Sequence, residues 1–245
     1  MIYFASDMHL GNGTPEERSQ REQRVVEWLG TIAADATELF LVGDIFDFWY
    51  EYKRVVPRGF VRVLGALAAL ADKGVKIHYF AGNHDMWLRD YFAQELGATI
   101  YYCGEIIERC GKRLWVEHGD LIYNTHLRAS RILGNIFRSR VTRWLFTHLI
   151  HPNHAIGFGL AWAGHSRKSK EIAHPFRGEG DFLVQFARSH AATAEAADLY
   201  IFGHSHCAED YPLGDGRRAV MLGHWFGGAV WAAMDDEGNI TLHKE

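Results

Sequence analysis

The apolar positions of this chain fall into two kinds of run. Short ones, four to six residues long, read as buried strands: 2–6, 39–42, 77–81, 99–103, 106–110, 113–117 and 199–202, with 219–222, 229–234 and 240–243 closing the chain as antiparallel strands. Longer ones recur at helical spacing. Val25, Val26, Leu29 and Ile32 define a helix that Thr14 and Glu17 would open with a capping box. Further helices are expected near 58–72, ending at Gly74, near 88–96 and over 182–196. Helix-linked strands thus give way to a meander around the Gly111-Lys112 turn, which predicts a mixed sheet.

The longest helical pattern covers 127–150. Ile132, Leu133, Ile136, Phe137, Val141, Trp144, Leu145 and Leu149 make one stripe, with arginines mostly between them, and Pro152 is expected to end it. A Gly-rich aromatic segment, 156–162, leads on to Ser166-Arg167-Lys168-Ser169-Lys170. Residues 124–177 are expected to form a helical insert, or lid, within a single domain spanning 1–245. The simplest alternative is an amphipathic helix packed on the core, with Trp144, Phe158 and Trp162 as core residues.

Charge sharpens that picture. The net charge is −4, but 121–170 holds eight Arg and Lys and no Asp or Glu, so the remainder carries −12. One basic segment on an acidic protein points to an anion or membrane-surface site. With 48% hydrophobic residues over 245 positions, there is ample material for a core. Cys103, Cys110 and Cys207 have no metal or redox spacing, which favours a reducing compartment without a disulfide framework. No signal peptide and no membrane-spanning run are evident, so a cytoplasmic protein, soluble or peripheral on a membrane, is expected.

The candidate chemistry sits where strands stop. The first strand ends in Asp7-Met8-His9 and the second in Gly43-Asp44-Ile45-Phe46-Asp47. The third ends in Gly82-Asn83-His84-Asp85. Later come Glu117-His118-Gly119-Asp120 and Gly203-His204-Ser205-His206. Each motif alone is weak. Five in one chain predict a two-metal site at one sheet edge, which suits hydrolysis of a phosphate ester or anhydride. Two divalent ions roughly 3.5–4 Å apart activate a water and clamp the phosphoryl oxygens. Such a pair needs a bridging carboxylate, for which Asp44 is the candidate, and mixed N/O ligation suits Mn, Fe or Zn better than Ca or Mg. Phe48, Trp49, Tyr50 and Tyr52 follow the second motif and could wall the site. His78, His148, His154, His190 and His243 are expected to be satisfied or solvated.

In this order the motifs resemble those of the calcineurin-like metallophosphoesterases. The resemblance covers residues 7 to 206 and implies an α/β sandwich of two mixed β-sheets flanked by helices. It implies one metal held by Asp7, His9, Asp44 and His206, and another by Asp44, Asn83, His118 and His204. His84 would neutralise a phosphoryl oxygen or protonate the leaving group. Asp47 and Asp85 would orient a ligand or His84, while for Asp120 a mere turn or cap is weighed evenly against a functional role.

A narrower likeness lies in the motif spacing, the insert, the Ser169-Lys170-Glu171 stretch and the Val220-Met221-Leu222-Gly223-His224-Trp225 run. It is to the members that use manganese to hydrolyse the pyrophosphate of a UDP-sugar carrying two acyl chains, as peripheral proteins of the cytoplasmic face of the inner membrane. It implies substrate contacts from Asn83, His84, Arg167, Ser169, Lys170 and His204. The chain departs from that subgroup at His84, where an Arg is usual, and near His126, where an Asp is usual. The alternative is a metallophosphoesterase of a nucleotide, cyclic nucleotide or nucleic acid. An aliphatic stripe on the insert argues against nucleic acid, whose surfaces call for cations with spaced aromatics. A non-catalytic protein-binding relative would have lost ligands, and here the full set is retained.

Overall fold

The structure is a computed structural model and describes residues 1–122, 128–170 and 176–245, giving only the backbone of 128–131, 133 and 162–170. His126 and the side chains of Trp162, Arg167, Ser169 and Lys170 lie outside the described residues.

The early strands are β1 (Ile2–Ala5), β2 (Glu38–Val42), β3 (Lys76–Phe80) and β4 (Thr99–Tyr101). They run parallel, side by side. Then come β5 (Glu105–Arg109), β6 (Lys112–Glu117), β7 (Leu199–Phe202), β8 (Ala208–Gly214) and β9 (Arg217–Leu222), followed by β10 (Val230–Met234) and β11 (Ile240–Lys244). One sheet has the order β11-β10-β1-β2-β3-β4 and the other β5-β6-β7-β9-β8. Both are mixed, as expected.

Strand side chains alternate between faces, and this fixes the layers. Phe4, Phe40 and Val42 point between the sheets toward Val116, Ile201 and Val220, while Ala5, Leu39 and Leu41 face the helices. Those helices are α1 (Pro15–Ile32), α2 (Val61–Asp72) and α3 (Tyr91–Leu96). The Thr14–Glu17 capping box opens α1.

Several readings of the sequence need correction. The 127–150 pattern is two helices, α4 (Arg128–Arg138) and α5 (Arg140–Leu149). The break falls at Ser139, whose extended backbone and side chain cap Val141 N. A serine offers the backbone this alternative to helix at little cost. Pro152 does not simply stop a helix; it occupies the first position of α6 (Pro152–Lys170), where its missing N–H costs nothing. The Gly-rich 156–162 stretch lies within that helix, and Gly159 lets it approach closely, since a side chain there would collide with the Phe48 ring. Finally, β9 is not simply antiparallel: it pairs parallel with β7 and antiparallel with β8, a strand that weak alternation hid. The helix expected over 182–196 is shorter, α7 (Phe182–Ala191), and it packs on the outer face of the second sheet.

Apart from half-buried Phe137, which packs against Trp87, the described part of the long stripe does not pack on the core. Ile132, Ile136, Val141, Trp144, Leu145 and Leu149 are all exposed, Leu149 at 71%. Trp144 and Phe158 are likewise exposed rather than core residues.

Candidate metal centre

Ligand-type side chains gather where the parallel strands end, because each strand hands its chain to a tight loop at the same edge. These loops turn through left-handed backbone. Asp7, His9, Asp44, His204 and His206 all have positive φ, between 44° and 63°. Such φ is uncommon outside glycine, though Asp and His tolerate it better than most, and held strain of this kind clusters at functional sites. Glycines give the room. At Gly43, φ is 78° and a Cβ would lie 2.5 Å from His118 Nδ1; a Cβ at Gly82 would overlap Asp44. The loops therefore close to a separation that only hydrogen side chains allow.

The resulting distances are those of ligands around a shared centre. His9 Nε2 lies 3.2 Å from His206 Nε2, and His206 Nε2 lies 3.3 Å from Asp7 Oδ1. His118 Nε2 is 3.3 Å from Asp44 Oδ2. Donor atoms bonded to one cation at 2.0–2.2 Å sit about 3.0–3.4 Å apart. Three overlapping groups qualify: Asp7, His9 and His206; His9, Asp44 and His84; Asp44, His118 and His204. Asp44 belongs to two of them, as a bridging carboxylate would.

Buried atoms test the fit. Asp7 Oδ1, Asn83 Oδ1 and His118 Nε2 have no hydrogen-bond partner among the described residues. Each is an atom able to ligate a metal, and leaving it unmatched costs about 1–3 kcal/mol. The neighbouring atoms are satisfied. Asp7 Oδ2 accepts from Ser6 Oγ at 2.6 Å and His204 N at 2.9 Å. Nδ1 of His118 donates to Val42 O at 2.9 Å, which leaves Nε2 as the lone pair. The donor set fits divalent cations.

Electrostatics agree. Burial alone would raise the Asp7 carboxyl, but His206 and His9 hold it well below the usual range. Burial opposes ionisation of Asp44 too, and His118, His84 and His9 overcome it. Burial lowers His118, yet Asp44 pushes it up to about 10, a sign of how much positive charge this cluster accommodates.

The remaining candidates divide. His84 Nδ1 donates to Asp47 O at 2.8 Å, so Nε2 turns toward Asp44 Oδ2, 3.9 Å away. Asp47 Oδ1 stands 3.5 Å from Nδ1 of His9, a candidate ligand. Asp85 does not orient His84. It accepts from Asp44 N, Ile45 N, Gly82 N and Tyr79 Oη, locking two loops together. Burial and the Asp44 charge push it up to about 6. Asp120 is neither a bare turn nor a bare cap: Arg138 of α4 donates to it at 2.7 Å. Of the aromatic wall, Phe48 and Tyr50 line a cavity, whereas Trp49 is buried in the core with its indole N–H on Glu51. Of the other histidines, His78 pairs with Glu38 and His190 with the Tyr200 hydroxyl, His148 bonds Trp144 O, His243 stacks on Trp231, and exposed His154 abuts His151.

Sequence reading missed Arg21 and Phe226. Arg21 bonds His9 O, and its guanidinium lies over Phe226, which stacks on the His9 ring. Neither carries a motif; only the fold brings them there.

The sequence profile of the calcineurin-like phosphoesterases matches residues 1–208. The chain belongs to that family. Membership implies divalent metal ions, and the groups above could hold them. Among similar proteins is the "UDP-2,3-diacylglucosamine hydrolase" of Porphyromonas gingivalis, 39% identical, covering 96% of this chain and 94% of its own. A protein of the same name from Aeromonas salmonicida is 30% identical over 91% of this chain and 85% of its own.

Beside the metal loops lies a cavity of about 80 Å³. Asn83 and His84 line it together with Phe48, Phe137, Phe146 and Phe158. It therefore joins the third motif to α4, α5 and α6.

Proposed function

We propose that this protein hydrolyses the pyrophosphate of UDP-2,3-diacylglucosamine, releasing UMP and 2,3-diacylglucosamine 1-phosphate. The single observation that carries the reading is the apolar cavity shared by Asn83, His84 and the aromatic side chains of the 128–170 helices. Its walls are largely phenyl and indole rings, a lining that an acyl chain can fill. The likeness to hydrolases bearing that substrate's name supports it.

Asp7, His9, Asp44 and His206 are assigned to one cation and Asp44, Asn83, His118 and His204 to the other. Manganese fits this mixed N/O set. When bound, such ions activate a water and compensate charge on the phosphoryl group. The chain does the rest. Asp44 would serve both cations, and its Oδ1 accepts His84 N at 2.8 Å, which ties the third motif to the second. His84, fixed through Nδ1 by Asp47 O, presents Nε2 to a phosphoryl oxygen or the leaving group. Arg167, Ser169 and Lys170 are assigned to the substrate's polar head.

Residues 124–177 act as a lid within one catalytic domain. The exposed stripe of α4 and α5, set among arginines without a single acid, suits an anionic lipid surface. Among the described residues no helix is long and apolar enough to cross a membrane, so peripheral attachment on the cytoplasmic face of the inner membrane is the mode proposed. The test is UMP release from the diacylated UDP-sugar with Mn²⁺, run beside an aryl phosphodiester and a single-stranded nucleic acid. Cleavage of the latter two alone would overturn the assignment.

A further inference from the structure

We propose that Asp120 and Arg138 form a latch that sets the position of the 128–170 helices over the metal loops, and that Arg138 is thereby a positioning residue for the acylated substrate. This rests on the reading that those helices cover that substrate.

Among the described residues, three of the loops send polar tethers to the helical segment. From the second motif's loop, Tyr50 Oη donates to Arg143 O at 3.1 Å or shares a hydrogen with Thr147 Oγ1 at 2.6 Å. From the third, Trp87 Nε1 donates to Phe137 O at 2.9 Å. From the fourth, Asp120 accepts from Arg138 Nη2 at 2.7 Å. The first two bond the helix backbone or a small hydroxyl and join neutral groups. The third differs in kind. Asp120 is 3% exposed, and no other ion pair to it is present among the described residues. A buried carboxylate of this sort is held firmly by its counter-ion and left stranded without it.

Position gives the pair its leverage. Asp120 stands two residues beyond His118, and Arg138 ends α4, immediately before the Ser139 break. Phe137, which lines the cavity, is adjacent to Arg138. The latch therefore fixes the joint between α4 and α5 against the loop that carries a candidate ligand. Displacing that joint shifts Phe137 and Phe146 while leaving the metal ligands where the sheets put them.

The test compares the full-length protein with Arg138→Gln and Arg138→Lys. Hydrogen–deuterium exchange reads the latch without any substrate. In Arg138→Gln, amides of α4 and α5 should exchange at least about tenfold faster, while those of β1 and β2 keep their protection. Arg138→Lys, which keeps charge but not the guanidinium fork, should recover part of the difference. Activity supplies a second readout: the ratio of kcat/KM for the diacylated UDP-sugar to that for an aryl phosphodiester should fall about tenfold or more, through KM. Unchanged exchange in α4 and α5 overturns the latch, whatever the activity. Should Arg138→Gln loosen β1 and β2 as well, Arg138→Lys decides by the same exchange comparison. A wild-type protein inert toward the acylated substrate, with accelerated exchange in the variant, would remove the substrate reading and leave the latch standing.

Discussion

The metal loops and the 128–170 helices solve opposite problems. The loops are buried, cross-bonded and strained: five ligands-to-be hold left-handed backbone, and Asp85 alone gathers four donors. The helices leave Val141, Trp144, Leu145 and Leu149 in the open and, among the described residues, meet the rest of the chain through a small cluster of Ala155, Phe146 and Ile156 on Phe48, Tyr50 and Tyr52, a few polar tethers and a cavity. Rigid geometry is what charge stabilisation on a phosphoryl group requires. An exposed apolar surface is what a bulky lipid requires. The contrast separates bond cleavage from substrate selection within one chain.

The hardest blow to that contrast falls on the loops. Asp44→Asn should lower kcat/KM about 10³-fold on every substrate, since the charge compensation at stake is several kcal/mol at about 1.4 kcal/mol per tenfold. Metal analysis of the purified variant should show substoichiometric cation. Equal loss across acylated and aryl substrates is the signature; a loss confined to the lipid would merge the two regions.

The helices should fail selectively. Phe146→Ala removes an aromatic cavity wall that also packs against Tyr50 and Trp87. KM for the diacylated substrate should rise about tenfold, in line with the ~1.5–3 kcal/mol of a buried phenyl ring, while aryl phosphodiester turnover stays near wild type. Steady-state kinetics on both substrates checks this.

Leu149→Glu addresses the exposed stripe. Stability should move by less than about 0.5 kcal/mol, as for a surface site, yet sedimentation with vesicles containing anionic lipid should drop several-fold. Vesicle binding equal to wild type would detach the stripe from the membrane reading.

The smallest effect lies away from both regions. Burial lowers the His78 pKa despite Glu38 beside it. Its contribution to stability is therefore present above the unfolded value and lost as pH falls through the folded one. Thermal denaturation should show Tm decreasing from about pH 7 to about pH 5 more steeply in the wild type than in His78→Phe.

Much of this was legible because local chemistry imposed it. Thr14 and Glu17 form a local capping box for α1, and the unbroken apolar run 39–42 marks a strand buried on both faces. The candidate ligands stood out as Asp, Asn and His at the ends of apolar runs. Other features left no local trace. Ser139 reads as one polar residue in a long stripe, yet its cap divides two helices. Arg21 and Phe226 lie far apart in sequence and meet only around His9.

By itself, then, the sequence determined which residues could bind metal and which runs would be strand or helix, since both follow from side-chain chemistry and spacing along the chain. Tertiary structure alone decided that Asp120 faces Arg138, that Asp85 ties two loops together, and that the long apolar stripe turns outward while Phe137 and Phe146 line the cavity. Those outcomes depend on distances between segments remote in sequence, and such distances exist only once the two sheets have packed.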